Sequence, residues 1–409
     1  MSIVIGWDVG GAHLKLARSE DGVITAARQI ACPLWLGLGR LEAALDEAMA
    51  LSPGPASYAI TMTAELADVF ADRAAGVGAV LDAVTARLPA DRVLVYALGD
   101  FLAPGQARGR ADRVASANWH ATAALAARNL GDGLLVDIGS TTTDLVPLRA
   151  GAVAARGFND AERLAVDALL YRGVVRTPVM AMVKRLSVAG ERVGVMAELF
   201  ATAGDVFRLA AGLPVAVDQH PTADGRGKSA VESRARLARM VGRDAASAPD
   251  ALWDDLARQI AAATLSEMAA AARRVTRDAA LPAGAPLLGA GIGRFLAATL
   301  ARRLRRPYRD YAEMIPVADA GIAAVAADCA PAAAVALLAA RASRKPATAA
   351  LSMGASRPPR VSAERKPRKS GRSGSNSGTS AALSDPASPA RRSPARAKSR
   401  KAASAVAER

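Results

Sequence analysis

Two short segments of the chain share one pattern, and this repeat constrains the fold more than any other feature. The first is Ile-Gly-Trp-Asp-Val-Gly-Gly-Ala-His-Leu-Lys at residues 5–15, and the second is Val-Asp-Ile-Gly-Ser-Thr-Thr-Thr-Asp-Leu at residues 136–145. An apolar run, an Asp and a Gly precede small or hydroxyl residues and a second apolar run, which is typical of a strand, a tight turn and a strand. Two copies about 130 residues apart predict a duplicated half-domain with a phosphate bound between the halves.

The glycine turns predict where that phosphate binds. Glycine lets the backbone come close to a ligand, and the free N–H groups of such a turn form an anion-binding concavity. A lysine adds a point charge and threonines add hydroxyls, although a solvated lysine and plain strand threonines are the simpler interpretation. The phosphate-binding candidates in the two turns are Gly10, Gly11, Lys15, Gly139, Thr141 and Thr142.

An aspartate ends the first strand of each repeat. Asp8 and Asp137 can hold Mg²⁺ or its waters, because a hard cation prefers carboxylate oxygen. We therefore predict that both act as metal ligands and as catalytic residues. The alternative is that each carboxylate only caps its own turn.

A third glycine-rich segment occurs late in the chain. Residues 287–296 (Leu-Leu-Gly-Ala-Gly-Ile-Gly-Arg-Phe-Leu) predict a buried strand, a turn and the start of a helix. A helix N-terminus after such a turn is suited to an anion or a nucleotide, so Gly289, Gly291 and Gly293 are further phosphate-binding candidates. The segment lacks the full spacing of a dinucleotide fingerprint.

In chain order, these three segments resemble the phosphate-1, phosphate-2 and adenosine motifs of the actin, sugar kinase and Hsp70 ATPase superfamily. Within it, the chain resembles hydantoinase A/oxoprolinase-related proteins. More narrowly, it is similar to the methanofuran-biosynthesis condensing enzymes of methanogens and of bacteria with tetrahydromethanopterin-linked one-carbon metabolism. The resemblance covers about residues 1–340 and rests on residues 6–15, 61–68, 117–120, 137–144 and 176–178.

The resemblance implies an α/β fold of two duplicated RNase H-like half-domains around a phosphate-binding cleft, as in actin-like ATPases. The first half-domain would span residues 1–130 and the second 131–340, with a mostly helical insertion at about 160–280. Patterning agrees, because it predicts strand-strand-strand-helix-strand-helix-strand-helix up to residue 129 and a restart of strands at Leu134.

The resemblance also implies a reaction. An aminomethyl-furanmethanol diphosphate would be joined to the phenol of a tyramine- or tyrosine-derived compound, with release of pyrophosphate. Asp8 or Glu65 would take the phenol proton, and Asn118, Trp119 and Arg176 would contact substrate. Core packing of Trp119 and a solvated Arg176 are the alternatives. Two other functions stay open: an ATP-dependent amidohydrolase or kinase, and a non-catalytic nucleotide-binding scaffold.

The net charge of +15 belongs to the end of the chain. Residues 341–409 hold 17 of the 53 basic and 3 of the 38 acidic residues, so the remainder is nearly neutral. Such a tail cannot bury enough apolar surface to offset its ordering entropy, which predicts disorder, and nucleic acid could bind only there. The widely separated Cys32 and Cys329 favour a reducing cytoplasm. Asp328 interrupts the Ala-rich stretch 320–340, which predicts a core helix and no membrane span. The oligomeric state cannot be inferred.

Overall fold

The secondary structure follows the predicted order. The computed structural model describes residues 2–343, so the predicted disordered tail lies outside the described residues, except for residues 341–343 at the end of a helix. The strands are β1 (Ile3–Val9), β2 (His13–Glu20), β3 (Val23–Ala31), β4 (Ser57–Met62), β5 (Val93–Ala97), β6 (Asp100–Leu102), β7 (Gly133–Ile138), β8 (Thr143–Arg149), β9 (Ala152–Val153), β10 (Leu169–Leu170), β11 (Arg185–Val188), β12 (Glu191–Gly194), β13 (Leu287–Ala290) and β14 (Tyr308–Asp310). The helices are α1 (Gly39–Ala50), α2 (Arg73–Thr85), α3 (Pro104–Arg108), α4 (Ala111–Val114), α5 (Asn118–Leu130), α6 (Asp160–Ala165), α7 (Val179–Met182), α8 (Ala203–Ala211), α9 (Ala230–Arg239), α10 (Asp250–Asp278), α11 (Arg294–Leu304), α12 (Ala320–Asp328) and α13 (Ala330–Ser343).

The first repeat opens a six-stranded mixed sheet in the order β3-β2-β1-β4-β5-β6. Strand β1 pairs antiparallel with β2, which places Asp8 opposite Lys15, and parallel with β4 on its other side. Helices α1 and α2 cover one face, because their apolar residues pack with those of the sheet in one buried cluster. The three strands followed by alternating helices and strands are as predicted.

The second repeat opens an equivalent sheet in the order β10-β8-β7-β13-β14, with β9 also paired to β8. Strand β7 pairs antiparallel with β8 and parallel with β13, as β1 does with β2 and β4. Asp137 lies opposite Asp144, at the position that matches Asp8 and Lys15 in the first sheet. The predicted fold class, two duplicated RNase H-like half-domains, is confirmed by this repeated topology.

The insertion between β9 and β13 is mostly helical, as predicted. It contains the 29-residue helix α10 and helices α8 and α9. It also contains two features that patterning missed: the two-stranded β11-β12 sheet, and β10, which extends the second sheet beside β8. Together with α11 and the second sheet, the insertion forms one large buried cluster.

The two half-domains exchange helices. Helix α5, which follows the first sheet in sequence, packs on β7, β8 and β9 of the second sheet. Helix α13, the last described element, packs on β1, β2 and β4 of the first sheet and against α5. The division at residue 130 stays a prediction, but each sheet is covered by a helix that the other half of the sequence supplies.

The Ala-rich stretch 320–340 is core, but it is not one helix. It divides at Cys329 into α12 and α13, and every residue of α13 from Ala330 to Ala340 is buried. Within residues 2–343, no single helix is both long and apolar enough to cross a membrane; α12 and α13 would be so only as a pair, and they meet at 107°.

Candidate active site

The two repeated turns face one cavity of about 370 Å³. Most of the predicted site residues line it: Asp8, Gly10, Gly11, Lys15, Asn118, Trp119, Gly139, Thr141, Thr142 and Arg176. The others lie behind its walls: Glu65, Asp137, Gly289, Gly291 and Gly293. The structure therefore brings the two turns together, as the repeat predicted, and leaves the third glycine segment outside.

The two turns have the same internal hydrogen bond. Gly10 N donates to His13 O over 3.0 Å, and Gly139 N donates to Thr142 O over 2.8 Å. These bonds close each turn and leave the next N–H groups free, because those of Gly11 and Ser140 donate to no backbone carbonyl among residues 2–343. Free N–H groups on both sides of a cavity are suited to an anion with several oxygens.

Gly10 and Gly11 have different reasons to be glycine. A Cβ at position 10 would lie 2.8 Å from His13 O, so the turn itself requires glycine there. A Cβ at position 11 would meet nothing within 4 Å, and Gly11 lines the cavity. A side chain at position 11 would therefore occupy ligand space without disturbing the protein.

Asp8 and Lys15 form a mostly buried ion pair beside the first turn. Lys15 Nζ lies 3.5 Å from Asp8 Oδ2. Burial raises the pKa of the Asp8 carboxyl, against the attraction of Lys15. Burial opposes the charge on Lys15, but the nearby Asp8 and Asp137 carboxylates raise the pKa of Lys15 above its ordinary value. Lys15 therefore stays a cation that a phosphate can approach.

Asp137 is buried beneath the second turn. Burial, and next the Asp144 carboxylate, raise the pKa of Asp137 to about 7. A Cβ on Gly291, whose φ is +77°, would collide with the Asp137 carboxylate, and one on Gly293 would collide with Ile138. These two glycines let the third segment pack against β7, and a phosphate contact for them stays a prediction.

The carboxylates of Asp8 and Asp137 suit Mg²⁺. Asp8 Oδ1 is buried without a hydrogen-bond partner in residues 2–343. The Asp144 carboxylate is near enough to add to the raised pKa of both Asp8 and Asp137, although burial is the larger cause for each. A divalent cation would offset this repulsion. No three His, Cys, Asp or Glu side chains of the described residues are grouped to hold a metal; Mg²⁺ usually takes only one or two carboxylates and completes its shell with water and phosphate.

Glu65 is buried next to the cavity rather than in its lining. Ser116 Oγ donates to Glu65 Oε1 over 2.8 Å and lies 3.4 Å from Asp160 Oδ2, which Arg73 pairs at 2.6 Å. Burial raises the pKa of Glu65. Ser116 has a φ of +51°, a conformation that costs about 1 kcal/mol or more in a non-glycine residue. Of this group, Ser116 and Asp160 line the cavity.

Trp119 is held in the core while it contributes to the cavity wall. It is 2% exposed, and the Arg163 guanidinium lies 4.1 Å from the ring centroid. Arg163 is itself buried and pairs with Asp144 at 2.6 Å. Asn118 begins α5, where its Oδ1 accepts a hydrogen bond from Trp119 N. Its side chain is also close enough to Asp8 to act against the rise in the pKa of that carboxyl. Substrate contact by both residues stays a prediction, and one face of the Trp119 ring is covered.

Arg176 is fixed by the second turn. Val174 N donates to Gly139 O, and the N–H groups of Val175 and Arg176 donate to Ser140 O, over 2.9–3.1 Å. The Arg176 guanidinium then lies 4.4 Å from the ring centroid of Trp35. Arg176 forms no ion pair with any of residues 2–343, so this cation at the cavity is available to an anionic group.

Two histidines that are distant in sequence meet at the first turn. The ring centroids of His13 and His220 are 4.6 Å apart, and Trp35 lies 5.1 Å from His220. This cluster was not predicted from the sequence, since the two histidines are 207 residues apart in the chain. The position of His13 inside the repeated motif was a signal for its half of the cluster, but residues 213–229 carry no pattern that indicates where His220 lies.

Comparison with known proteins identifies a family and two named relatives. A model of the hydantoinase/oxoprolinase family matches residues 57–339. A protein of Methanocaldococcus jannaschii named (4-{4-[2-(γ-L-glutamylamino)ethyl]phenoxymethyl}furan-2-yl)methanamine synthase is 30% identical over 259 residues, which cover 63% of this chain and 77% of that protein. A Methanococcus vannielii protein of the same name is 41% identical over 73 residues, 18% of this chain and 32% of that one.

The solved structures that resemble this protein in backbone fold have low sequence identity to it. Nucleotide-free acetone carboxylase is 11% identical with a TM-score of 0.48, over 80% of this chain and 70% of that one. Component A of (R)-2-hydroxyglutaryl-CoA dehydratase from Acidaminococcus fermentans is 11% identical with a TM-score of 0.41, over 84% of this chain and all of that one. The match of the family model over most of the chain decides the identity: the protein belongs to the hydantoinase/oxoprolinase family.

Proposed function

We propose that the protein is a transferase of methanofuran-type cofactor biosynthesis in tetrahydromethanopterin-linked one-carbon metabolism. It would join an aminomethyl-furanmethanol diphosphate to the phenol of a tyramine- or tyrosine-derived compound. The phenol oxygen forms a bond to the furan methylene, the bond from that carbon to the diphosphate breaks, and pyrophosphate leaves with the electron pair. The name of the Methanocaldococcus jannaschii relative contains this phenoxymethyl-furan ether.

The observation that carries the proposal is the pair of equivalent turns on one cavity. A diphosphate between them would receive hydrogen bonds from the free N–H groups of Gly11 and Ser140, next to the Lys15 cation. Donors that are already oriented toward the leaving group stabilise the charge that develops on it without further reorganisation. The open space at Gly11 leaves room for the phosphate oxygens.

The position of Asp8 favours it over Glu65 as the group that receives the phenol proton. Asp8 lines the cavity and has an unpartnered Oδ1, whereas Glu65 lies behind Ser116. A base must come within hydrogen-bond reach of the proton it takes. Asp8 and Asp137 would also hold Mg²⁺, which when bound supplies positive charge to the leaving diphosphate.

One assay tests the proposal. The purified protein is given ATP alone, or the furanmethanol diphosphate with a tyramine derivative, and orthophosphate, pyrophosphate and the ether product are measured with and without Mg²⁺. We expect pyrophosphate and ether in equal amounts, and only with Mg²⁺. Orthophosphate from ATP without ether would instead favour an ATP-dependent amidohydrolase or kinase, and no reaction at all would favour a scaffold.

The variant Asp8→Asn sharpens the assay. It keeps the size of the side chain but removes the charge that positions the metal and accepts the proton. Loss of such a group costs on the order of 100-fold in rate or more. Near-normal turnover by a folded Asp8→Asn protein would remove Asp8 from the mechanism.

A further inference from the structure

We propose that His13 and Trp35, held in place by contacts with His220 and Arg176, form the subsite for the phenol, in which His13 Nε2 accepts the hydrogen bond of the phenolic hydroxyl. This inference rests on the proposed function and adds to it the residues that recognise the second substrate. None of the three aromatic residues was among the site residues that the sequence predicted.

His13 has a ring nitrogen without a hydrogen-bond partner, and the residue lies at the cavity. It lines the cavity and is 5% exposed, and its Nε2 has no hydrogen-bond partner within the described residues. A buried polar atom without a partner destabilises the protein, because it has lost its hydrogen bonds to water and gained none. A ligand hydroxyl that donates to Nε2 would remove this cost.

The surroundings of His13 keep the ring neutral, so it can accept. Burial first, and then the nearby His220, Lys15 and Arg176, lower the pKa of His13 to about 3. A neutral imidazole has one nitrogen that accepts, which is Nε2 when the proton is on Nδ1, whereas a protonated imidazole only donates. His13 is therefore suited to a neutral hydroxyl donor, such as a phenol, and the cationic neighbours Lys15 and Arg176 are suited to the diphosphate.

Trp35 supplies the apolar surface next to that acceptor. Its ring lines the cavity and 39% of the residue is exposed. The contacts with Arg176 and His220 fix its orientation, and the bond from Leu34 N to Gly11 O, 3.0 Å long, ties its segment to the first turn. An exposed indole beside an unpartnered acceptor matches a phenol, which has an apolar ring and one donor.

The four residues come from three places in the fold. His13 and Trp35 lie next to the first turn, Arg176 next to the second turn, and His220 in the helical insertion. Residue 219 also reaches the first sheet, since Gln219 Nε2 donates to Gln29 O over 3.2 Å. The phenol would therefore be bound at the side of the first turn, adjacent to the diphosphate.

The test compares a phenol with its methyl ether. In O-methyltyramine a methyl group replaces the hydroxyl proton of tyramine and so removes the donor, and we would measure the dissociation constant of each by titration calorimetry. Wild-type protein should bind tyramine about 10-fold more tightly, the equivalent of one hydrogen bond. His13→Leu should bind the two equally, and His13→Gln, which restores an acceptor, should recover part of the preference.

A matched control removes a histidine outside the cavity. His120 is also buried, but its Nδ1 is bonded to Tyr96 Oη at 2.8 Å and it does not line the cavity. His120→Gln should keep the preference for tyramine. If His13→Leu fails to fold, Trp35→Ala replaces it, and this variant should weaken the binding of tyramine and of its methyl ether alike.

The outcomes separate this inference from the proposed function. An unchanged preference in folded His13→Leu, or unchanged binding in Trp35→Ala, would overturn the subsite even if the wild-type protein forms the ether. A wild-type protein that forms no ether would instead overturn the proposed function. Turnover kinetics add a further check, because His13→Leu should raise the KM for tyramine about 10-fold and leave the KM for the diphosphate unchanged.

Discussion

Neighbouring glycines in the first turn serve different purposes, and a substitution can separate them. We expect Gly11→Val to leave the free energy of unfolding nearly unchanged, because its Cβ would meet nothing within 4 Å and its φ is not in the left-handed region. The added methyl groups would occupy the space beside the free N–H, so the KM for the diphosphate should rise about 10-fold or more. Gly194→Val is the matched control, since Gly194 is an exposed strand residue with the same open surroundings. Steady-state kinetics together with chemical denaturation would test this; a normal KM would mean that no phosphate lies against Gly11.

Glu65 gives a second test, in which pH is the variable. Burial raises the pKa of Glu65 in the folded protein, so its contribution to stability is fully present below the unfolded pKa, about 4.3, and is lost as pH rises through the folded pKa. Glu65→Gln does not titrate and can still accept from Ser116. The variant should therefore become more stable relative to wild type as pH increases from 4 to 8, as measured by urea denaturation.

The same Glu65→Gln variant should keep most of its turnover. Removal of a proton-transfer group costs about 100-fold or more, whereas a residue behind the cavity wall should cost less than about 10-fold. A 100-fold loss of turnover in the folded variant would indicate that Glu65, rather than Asp8, takes the phenol proton.

At the scale of elements, the contact of α13 with β1 depends on Gly6. A Cβ on Gly6 would collide with Ala332 O and lie 2.9 Å from Ala336 Cβ. We expect Gly6→Ala to lower the free energy of unfolding by about 3 kcal/mol, the upper end of the cost of overpacking, whereas Gly194→Ala should change little. Thermal and urea denaturation would measure both, and an undisturbed Gly6→Ala protein would show that α13 can shift.

Local patterns predicted the elements that local forces determine. The two hairpins were predicted nearly residue by residue, because alternating apolar residues and turn glycines determine a hairpin within a segment of about ten residues. The same reasoning assigned Gly291 and Gly293 to a phosphate, and this stays a prediction. The structure adds a packing reason for both glycines, which lie against Asp137 and Ile138, and a glycine required for close packing has the same sequence signal as one required for a ligand.

Contacts between segments that are distant in the chain could not be predicted from the sequence. The meeting of His13 with His220 depends on how the insertion folds back, and no periodicity encodes that. Likewise, the Ala-rich stretch 320–340 was recognised as core, but its break at Cys329 and its packing on the first sheet depend on the shape of the partner surface.

At the scale of the whole molecule, the charge distribution predicts that the tail can be removed. Helix α13 extends to Ser343, so a cut should fall after residue 343 rather than after Ala340. Every candidate site residue precedes this point, and we expect deletion of residues 344–409 to leave turnover unchanged. Retention on heparin should fall, because the deletion removes most of the excess basic residues. The retention of the full-length protein should also weaken as salt rises. Large loss of turnover in the shortened protein would mean that the tail reaches the site.

The exchange of α5 and α13 has a consequence for how the protein folds. The face of β1 around Gly6 is completed only by α13, more than 320 residues later in the chain. At a synthesis rate of about 5–20 residues per second, the interval between the synthesis of β1 and that of α13 is therefore on the order of tens of seconds. The core of the first half-domain is therefore completed only after nearly all of the second half has been synthesised, although the two halves are duplicated in architecture.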